Sequence, residues 1–220
     1  MVSKKHYIVL IAAIMLLVVS CVPENEFENT PKGNFNALWT IIDERYCFLD
    51  YKNEEYGLDW DKVRKKYSSR LTSDVNNIGL FEILTDMLSE LRDGHVNLYY
   101  TADVGRYWSW KDDYPANFDM KLVEKYLGTD YKISSGIYYK ILDDNIGYLY
   151  VGDFSNTIGE SSLDAIISML SVCNGLIIDV RDNGGGSVET AEKLASRFTN
   201  QDIFTGYIMH KTGPAHNDFS

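Results

Sequence analysis

Positive charge is scarce in this chain. Lys and Arg total 21 against 32 Asp and Glu, which leaves a formal net charge of −11. Phosphate backbones are held by clustered Lys and Arg, so a nucleic-acid partner is not expected. Adhesion to anionic lipid through basic residues is not expected either. Cysteine is also sparse, at three residues, which is too few for a disulfide framework. The four histidines, His6, His95, His210 and His216, fall in no H-E-x-x-H or paired-cysteine spacing, so no metal site is expected. Asp143, Asp144 and Asp153 lack EF-hand spacing and read as turn and loop residues. Neither G-x-G-x-x-G nor G-x-x-x-x-G-K-[ST] occurs, and no cofactor is expected. Internal repeats and low-complexity segments are lacking as well.

One long apolar run is present, at the N-terminus. Lys4 and Lys5 precede Tyr7 to Val19, about thirteen residues. That suits a signal segment and falls short of the roughly 20 residues needed to span a bilayer. The run closes Leu17-Val18-Val19-Ser20-Cys21. Small residues before a lone cysteine resemble a bacterial lipobox, in which Cys21 is acylated and becomes the mature N-terminus. An ordinary signal peptide or a short anchor is the alternative. The expected location is the bacterial cell envelope, lipid-anchored, at the outer membrane on its periplasmic or surface face. With Cys21 lipidated, Cys47 and Cys173 read as small core residues, although export would permit a disulfide.

Residues 1–20 are thus read as a lipoprotein signal peptide and 21–34 as a flexible acidic tether carrying Glu24, Glu26 and Glu28. Residues 35–103 are read as a helical N-terminal subdomain. Helical spacing runs over Phe35 to Leu49, Asp59 to Leu71 with Asp59 as cap, and Asn77 to Leu91. Residues 104–143 are an irregular, aromatic-rich connection, with Ile137 to Leu142 already strand-like. Residues 144–220 read β-α-β-α-β: strand Ile146 to Val151, helix Ser161 to Ser171, strand Leu176 to Val180, helix Val188 to Phe198, strand Ile203 to His210.

The richest segment is Gly175-Leu-Ile-Ile-Asp-Val-Arg-Asp-Asn-Gly-Gly-Gly-Ser187. An apolar strand ends in charge and delivers consecutive glycines to a helix N-terminus. Glycine removes the side chain that would block a ligand's approach to the backbone. Main-chain amides presented there stabilise a developing oxyanion by about 3 kcal/mol per donor. Gly185 and Gly186 are the candidate donors, with Arg181 and Asp182 holding the loop. The bland alternative is a tight strand-to-helix turn. In Leu91-Arg-Asp-Gly-His-Val96, His95 follows a turn at a helix end and is a candidate general base. Its bland alternative is a histidine satisfying a nearby carbonyl.

Together, Leu91–Val96, Ile146-Gly-Tyr-Leu149 leading to Phe154, and Gly175–Gly186 resemble the tail-specific, or C-terminal processing, serine protease family. The likeness is to members without a PDZ domain, including the tricorn-core type. The resemblance implies a helical N-terminal subdomain followed by an incomplete ClpP/crotonase-like α/β core. It also implies a peptide or protein substrate and an acyl-enzyme, with the glycine loop as oxyanion hole. Ser–Lys and Ser–His–acid arrangements both stay open. In the family the nucleophilic serine lies well downstream of the loop, whereas Ser220, the last residue, has no following helix to orient it. The expectation is a chain cut short of its nucleophile and inactive alone. The rival expectation is a non-catalytic envelope lipoprotein that binds peptide, glycan or an apolar ligand through the aromatic stretch Tyr99 to Tyr126.

Overall fold

The computed structural model describes residues 27–220 apart from positions 102, 113 and 115. The signal segment and Cys21 lie outside the described residues. The chain divides into two compact units. One comprises the described residues up to 110 together with 209–220, and the other comprises 111–208.

The first unit is built on four helices: α1 (Pro31–Arg45), α2 (Leu49–Tyr56), α3 (Trp60–Ser68) and α4 (Asn77–Ser89). Helix α1 starts inside the expected tether. Thr30 caps it, its hydroxyl accepting from the Gly33 amide at 3.0 Å, and Pro31 supplies a preset φ at the first position. The helix expected over Phe35 to Leu49 breaks at Tyr46–Phe48, and a separate α2 follows. Trp39 and Trp60 cross-bond α1 to α3, each indole N–H donating to the other's carbonyl, at 3.1 and 3.2 Å. Phe35, Met87 and Leu91 are fully buried at the centre. A hairpin of β1 (Asn97–Tyr100) and β2 (Asp103–Arg106) follows α4, with Asn97 opposite Arg106.

Residues 210–220 form a short hairpin of their own. His210 and Ser220 exchange both backbone bonds, and Lys211 pairs with Phe219. His216 lies on the loop of this hairpin. Its ring lies between two carboxylates, Nε2 3.2 Å from Asp43 and Nδ1 3.1 Å from Asp50.

The second unit is a four-stranded sheet carrying helices. Its elements are α5 (Met120–Leu127), β3 (Lys132–Ser134), β4 (Ile137–Ile141), β5 (Ile146–Tyr150), α6 (Glu160–Leu170), β6 (Gly175–Asp179) and α7 (Val188–Ala195). The strand order is β3-β4-β5-β6, antiparallel except for the parallel β5–β6 pair. The core gathers Ile137, Leu149, Val151, Leu163, Ile166 and Leu194. The described architecture is therefore helical first and mixed α/β second, as the sequence pattern indicated.

Three readings change. The span 104–143 is less irregular than expected, since it contains most of β2, all of α5 and β3, and the strand-like β4. Asp119 starts α5 by accepting from the Lys121 amide at 2.8 Å. Ile203 to His210 forms no strand. Apart from His210, which pairs with Ser220, it finds no ladder partner among the described residues, and Ile203, Phe204, Tyr207 and Ile208 are exposed. Cys47 is exposed and not a core residue, because the α1–α2 break turns it outward. Cys47 and Cys173 are both free thiols.

Candidate active site

The strand β6 ends in a buried carboxylate that organises the glycine loop. Asp179 accepts twice from the Arg181 guanidinium, at 2.9 and 2.6 Å, and once from the Arg181 amide at 3.1 Å. The Tyr148 hydroxyl from β5 donates to it at 2.7 Å. The guanidinium, against the opposing effect of burial, holds the Asp179 carboxyl down at about 2. Burial and the bond to this carboxylate push the Tyr148 phenol up, so it stays a donor. Arg181 also lies 5.6 Å from the Phe118 ring centroid, and Phe118 stacks on Tyr150 at 4.7 Å.

Beyond this anchor the chain turns through Asp182, at φ 57°. Asn183 then acts as a two-sided staple. Its amide donates to the Val151 carbonyl at 2.9 Å, while its side-chain oxygen accepts from the Gly185 N–H at 2.8 Å. The Gly184 N–H donates to Gly152 at 3.2 Å. Phe154 bridges Gly186 in parallel fashion, donating to the Gly185 carbonyl at 2.7 Å and accepting from Ser187 at 3.0 Å. Only glycine suits position 186. Its φ is 135°, and an added Cβ would stand 2.3 Å from the Phe154 carbonyl carbon.

The two candidate oxyanion donors therefore differ. The Gly185 amide is engaged by Asn183. The Gly186 amide is exposed, with no acceptor among the described residues. It precedes α7, which Ser187 caps by accepting from the Thr190 amide at 3.3 Å. The positive end of that helix dipole adds to the amide's attraction for an anion.

An open groove of about 1130 Å³ runs beside Arg181. Leu122, Val123 and Tyr126 of α5 line one wall, and Ile177, Ile178 and Val180 line the other. The α5 wall falls within the aromatic stretch Tyr99 to Tyr126.

His95 belongs to the first unit and the glycine loop to the second. The imidazole is fully exposed, with Nδ1 3.0 Å from Asp93 Oδ1. Among the described residues, no group of three or more His, Cys, Asp or Glu could hold a metal ion.

Comparison with known proteins follows the same division. Residues 27–89 match the tricorn protease C1 domain family and residues 145–218 match peptidase family S41. A solved structure of a candidate peptidase from Parabacteroides merdae ATCC 43184 is 48% identical, with a TM-score of 0.79 over 88% of this chain. The helical unit is thus similar to a tricorn C1 domain and the α/β unit to the S41 peptidases. The chain spans 60% of that relative's chain. No curated protein gives a significant match.

Proposed function

We propose that the chain carries the oxyanion loop and the general base of a serine-type peptidase that acts on peptide or protein substrates through an acyl-enzyme. One observation carries this reading: the Gly186 amide stands open, at a position where no side chain fits, just before a helix start. An alkoxide formed on a scissile carbonyl is the charge such a donor suits. His95, with one imidazole edge open to solvent, is the base.

The nucleophile is assigned outside the described residues. Ser155 and Ser187 flank the Phe154–Gly186 bridge, but Ser187 is spent on capping α7, and among the described residues neither hydroxyl bonds a base. Ser220 is held by its backbone in the 210–220 hairpin. Loss of a serine nucleophile costs on the order of 10⁶ in turnover. The chain of 220 residues is therefore expected to show no efficient hydrolysis by itself. Extension to the length of the solved relative should produce it. The check is cleavage of a fluorogenic peptide library by both polypeptides, with His95→Ala introduced into the longer one. Full activity of the short chain, or an unaffected His95→Ala enzyme, would refute the assignment.

Acylation of Cys21 and anchoring in the cell envelope belong to the same proposal. They rest on the lipobox-like sequence alone. Metabolic labelling with a fatty-acid probe should mark the native chain and leave Cys21→Ala unmarked.

A further inference from the structure

Tyrosine hydroxyls bond charge-paired carboxylates at several places, and two of these adjoin the candidate site residues. Tyr148 donates to Asp179 at 2.7 Å, and Asp179 is paired with Arg181. Tyr46 donates to Asp93 Oδ2, also at 2.7 Å, and Asp93 faces His95. In the first, a permanently charged guanidinium neutralises the carboxylate, so the group is a structural clamp. In the second, the positively chargeable group bonded to the carboxylate among the described residues is an imidazole. A carboxylate compensated by a neutral phenol keeps its charge available to the ring beside it.

The turn bearing His95 is held from several directions. Asp93 Oδ1 accepts from the His95 backbone amide at 2.9 Å as well as facing Nδ1. Asn97 donates to the His95 carbonyl at 3.1 Å and is itself held by Arg106 at 2.6 Å. Arg92, at φ 48°, lays its guanidinium 4.3 Å from the Tyr56 ring centroid, and Tyr56 bonds the Glu90 carbonyl. Tyr46 is the C-cap of α1, its backbone N–H bonded to Ile42, so its hydroxyl is delivered from a fixed helix end. The Asp93 side chain is 14% exposed, whereas that of His95 is wholly exposed. Burial would raise the Asp93 carboxyl. The bonds from the His95 amide, the Tyr46 hydroxyl and the imidazole outweigh it and keep the group below the ordinary carboxylate range. Burial, then the bond to Asp93, pushes the Tyr46 phenol up, so it remains a donor.

We propose that Asp93 and Tyr46 are positioning residues for His95: the carboxylate keeps the ring proton on Nδ1 and turns the Nε2 lone pair outward, and the tyrosine fixes the carboxylate. An ionised carboxylate can only accept, so a bonded Nδ1 must carry the proton. Nε2 is then the atom that takes the hydroxyl proton of the nucleophile as its oxygen bonds the substrate carbonyl carbon. It returns that proton to the departing amine nitrogen when the peptide C–N bond breaks. This inference rests on His95 being the base, so its test has a readout independent of turnover.

The experiment is 15N NMR of the histidine rings in the chain, in Asp93→Asn and in Tyr46→Phe. Asparagine can still cap the His95 amide, so the turn survives while the charge is lost. In its neutral form, native His95 should show the Nδ1-protonated tautomer. Asp93→Asn should shift it predominantly to Nε2–H, and Tyr46→Phe should give a mixture. In the longer, active polypeptide, Asp93→Asn should lower kcat at least tenfold, with about 10⁴ as the ceiling known for triad aspartates, and leave KM little changed. Identical ring shifts in all three proteins would overturn the proposal. If the tautomer responds to Asp93→Asn but His95→Ala leaves turnover intact, the positioning stands and the base assignment falls. If His95→Ala abolishes turnover while the tautomer ignores Asp93, the base stands and the positioning falls.

Discussion

Asp179 illustrates how one side chain can hold a loop without touching substrate. Its carboxylate collects three bonds from Arg181 and one from Tyr148. Replacing it with alanine leaves four donor groups, on two residues, without their acceptor. Because the Arg181 side chain is half exposed and can rehydrate, the expected loss is about 2 kcal/mol, below the 3–5 typical of a fully buried pair. Urea unfolding followed by circular dichroism would measure it. The pH dependence has a definite sign. The folded-state carboxyl sits at about 2, beneath an unfolded value of about 3.9. Its stabilisation is therefore complete above about pH 4 and lost as the pH falls from 4 towards 2. Asp179→Ala should differ most from the native chain at neutral pH and converge with it near pH 2. At this scale the sequence was partly readable. His95 and the glycines stood out because their residue types are uncommon in such contexts. Tyr46 did not, since its partner Asp93 lies 47 positions away and no local pattern links them. Asn183 was visible only as part of the motif, and its stapling of β5 emerged from the fold.

Among the elements, the glycine loop is the most constrained. Gly186→Ala combines a φ of 135° with a Cβ inside the Phe154 backbone. Such strain costs at least about 2 kcal/mol, and the Phe154–Ser187 bond should open. Hydrogen exchange at the Ser187 amide should accelerate sharply, while β4 and its neighbours stay protected. The helices were legible where an apolar stripe faced a core. Leu80, Ile83, Leu84, Met87 and Leu88 lie on one face of α4, and all are buried. Helix α2 escaped notice because it buries only Leu49. A stripe of one residue has no period. Helix α5 buries none of its residues, and it went unread inside the aromatic stretch. Residues 203–210 misled in the opposite way. Alternating apolar side chains suit a strand, but a strand also needs a neighbour, and sequence pattern does not supply one.

For the whole molecule, two separate core clusters predict two separable responses to damage. Met87 is completely buried in the first cluster and Leu149 in the second. Each truncation to alanine should cost about 2–5 kcal/mol. Met87→Ala should raise exchange in α1, α3 and α4 first, and Leu149→Ala in β4, β5 and α6. Mass spectrometry of exchanged peptides would show which unit loosens. The division into a helical and an α/β unit was readable from texture alone, because hydrophobic period changes from about 3.6 to 2 after His95. The return of 209–220 to the first unit was not readable. It depends on His216 finding Asp43 and Asp50, more than 160 positions earlier.

The last strand in the sheet order has a further consequence for handling the protein. Among the described residues β6 is laddered on one side only, and Ile177, Ile178 and Val180 stand exposed along it. A bare rim of amides beside greasy side chains is a template for self-association. Light scattering should rise with concentration, and a lysine in place of Ile177 should suppress that rise while leaving the monomer's melting temperature nearly unchanged.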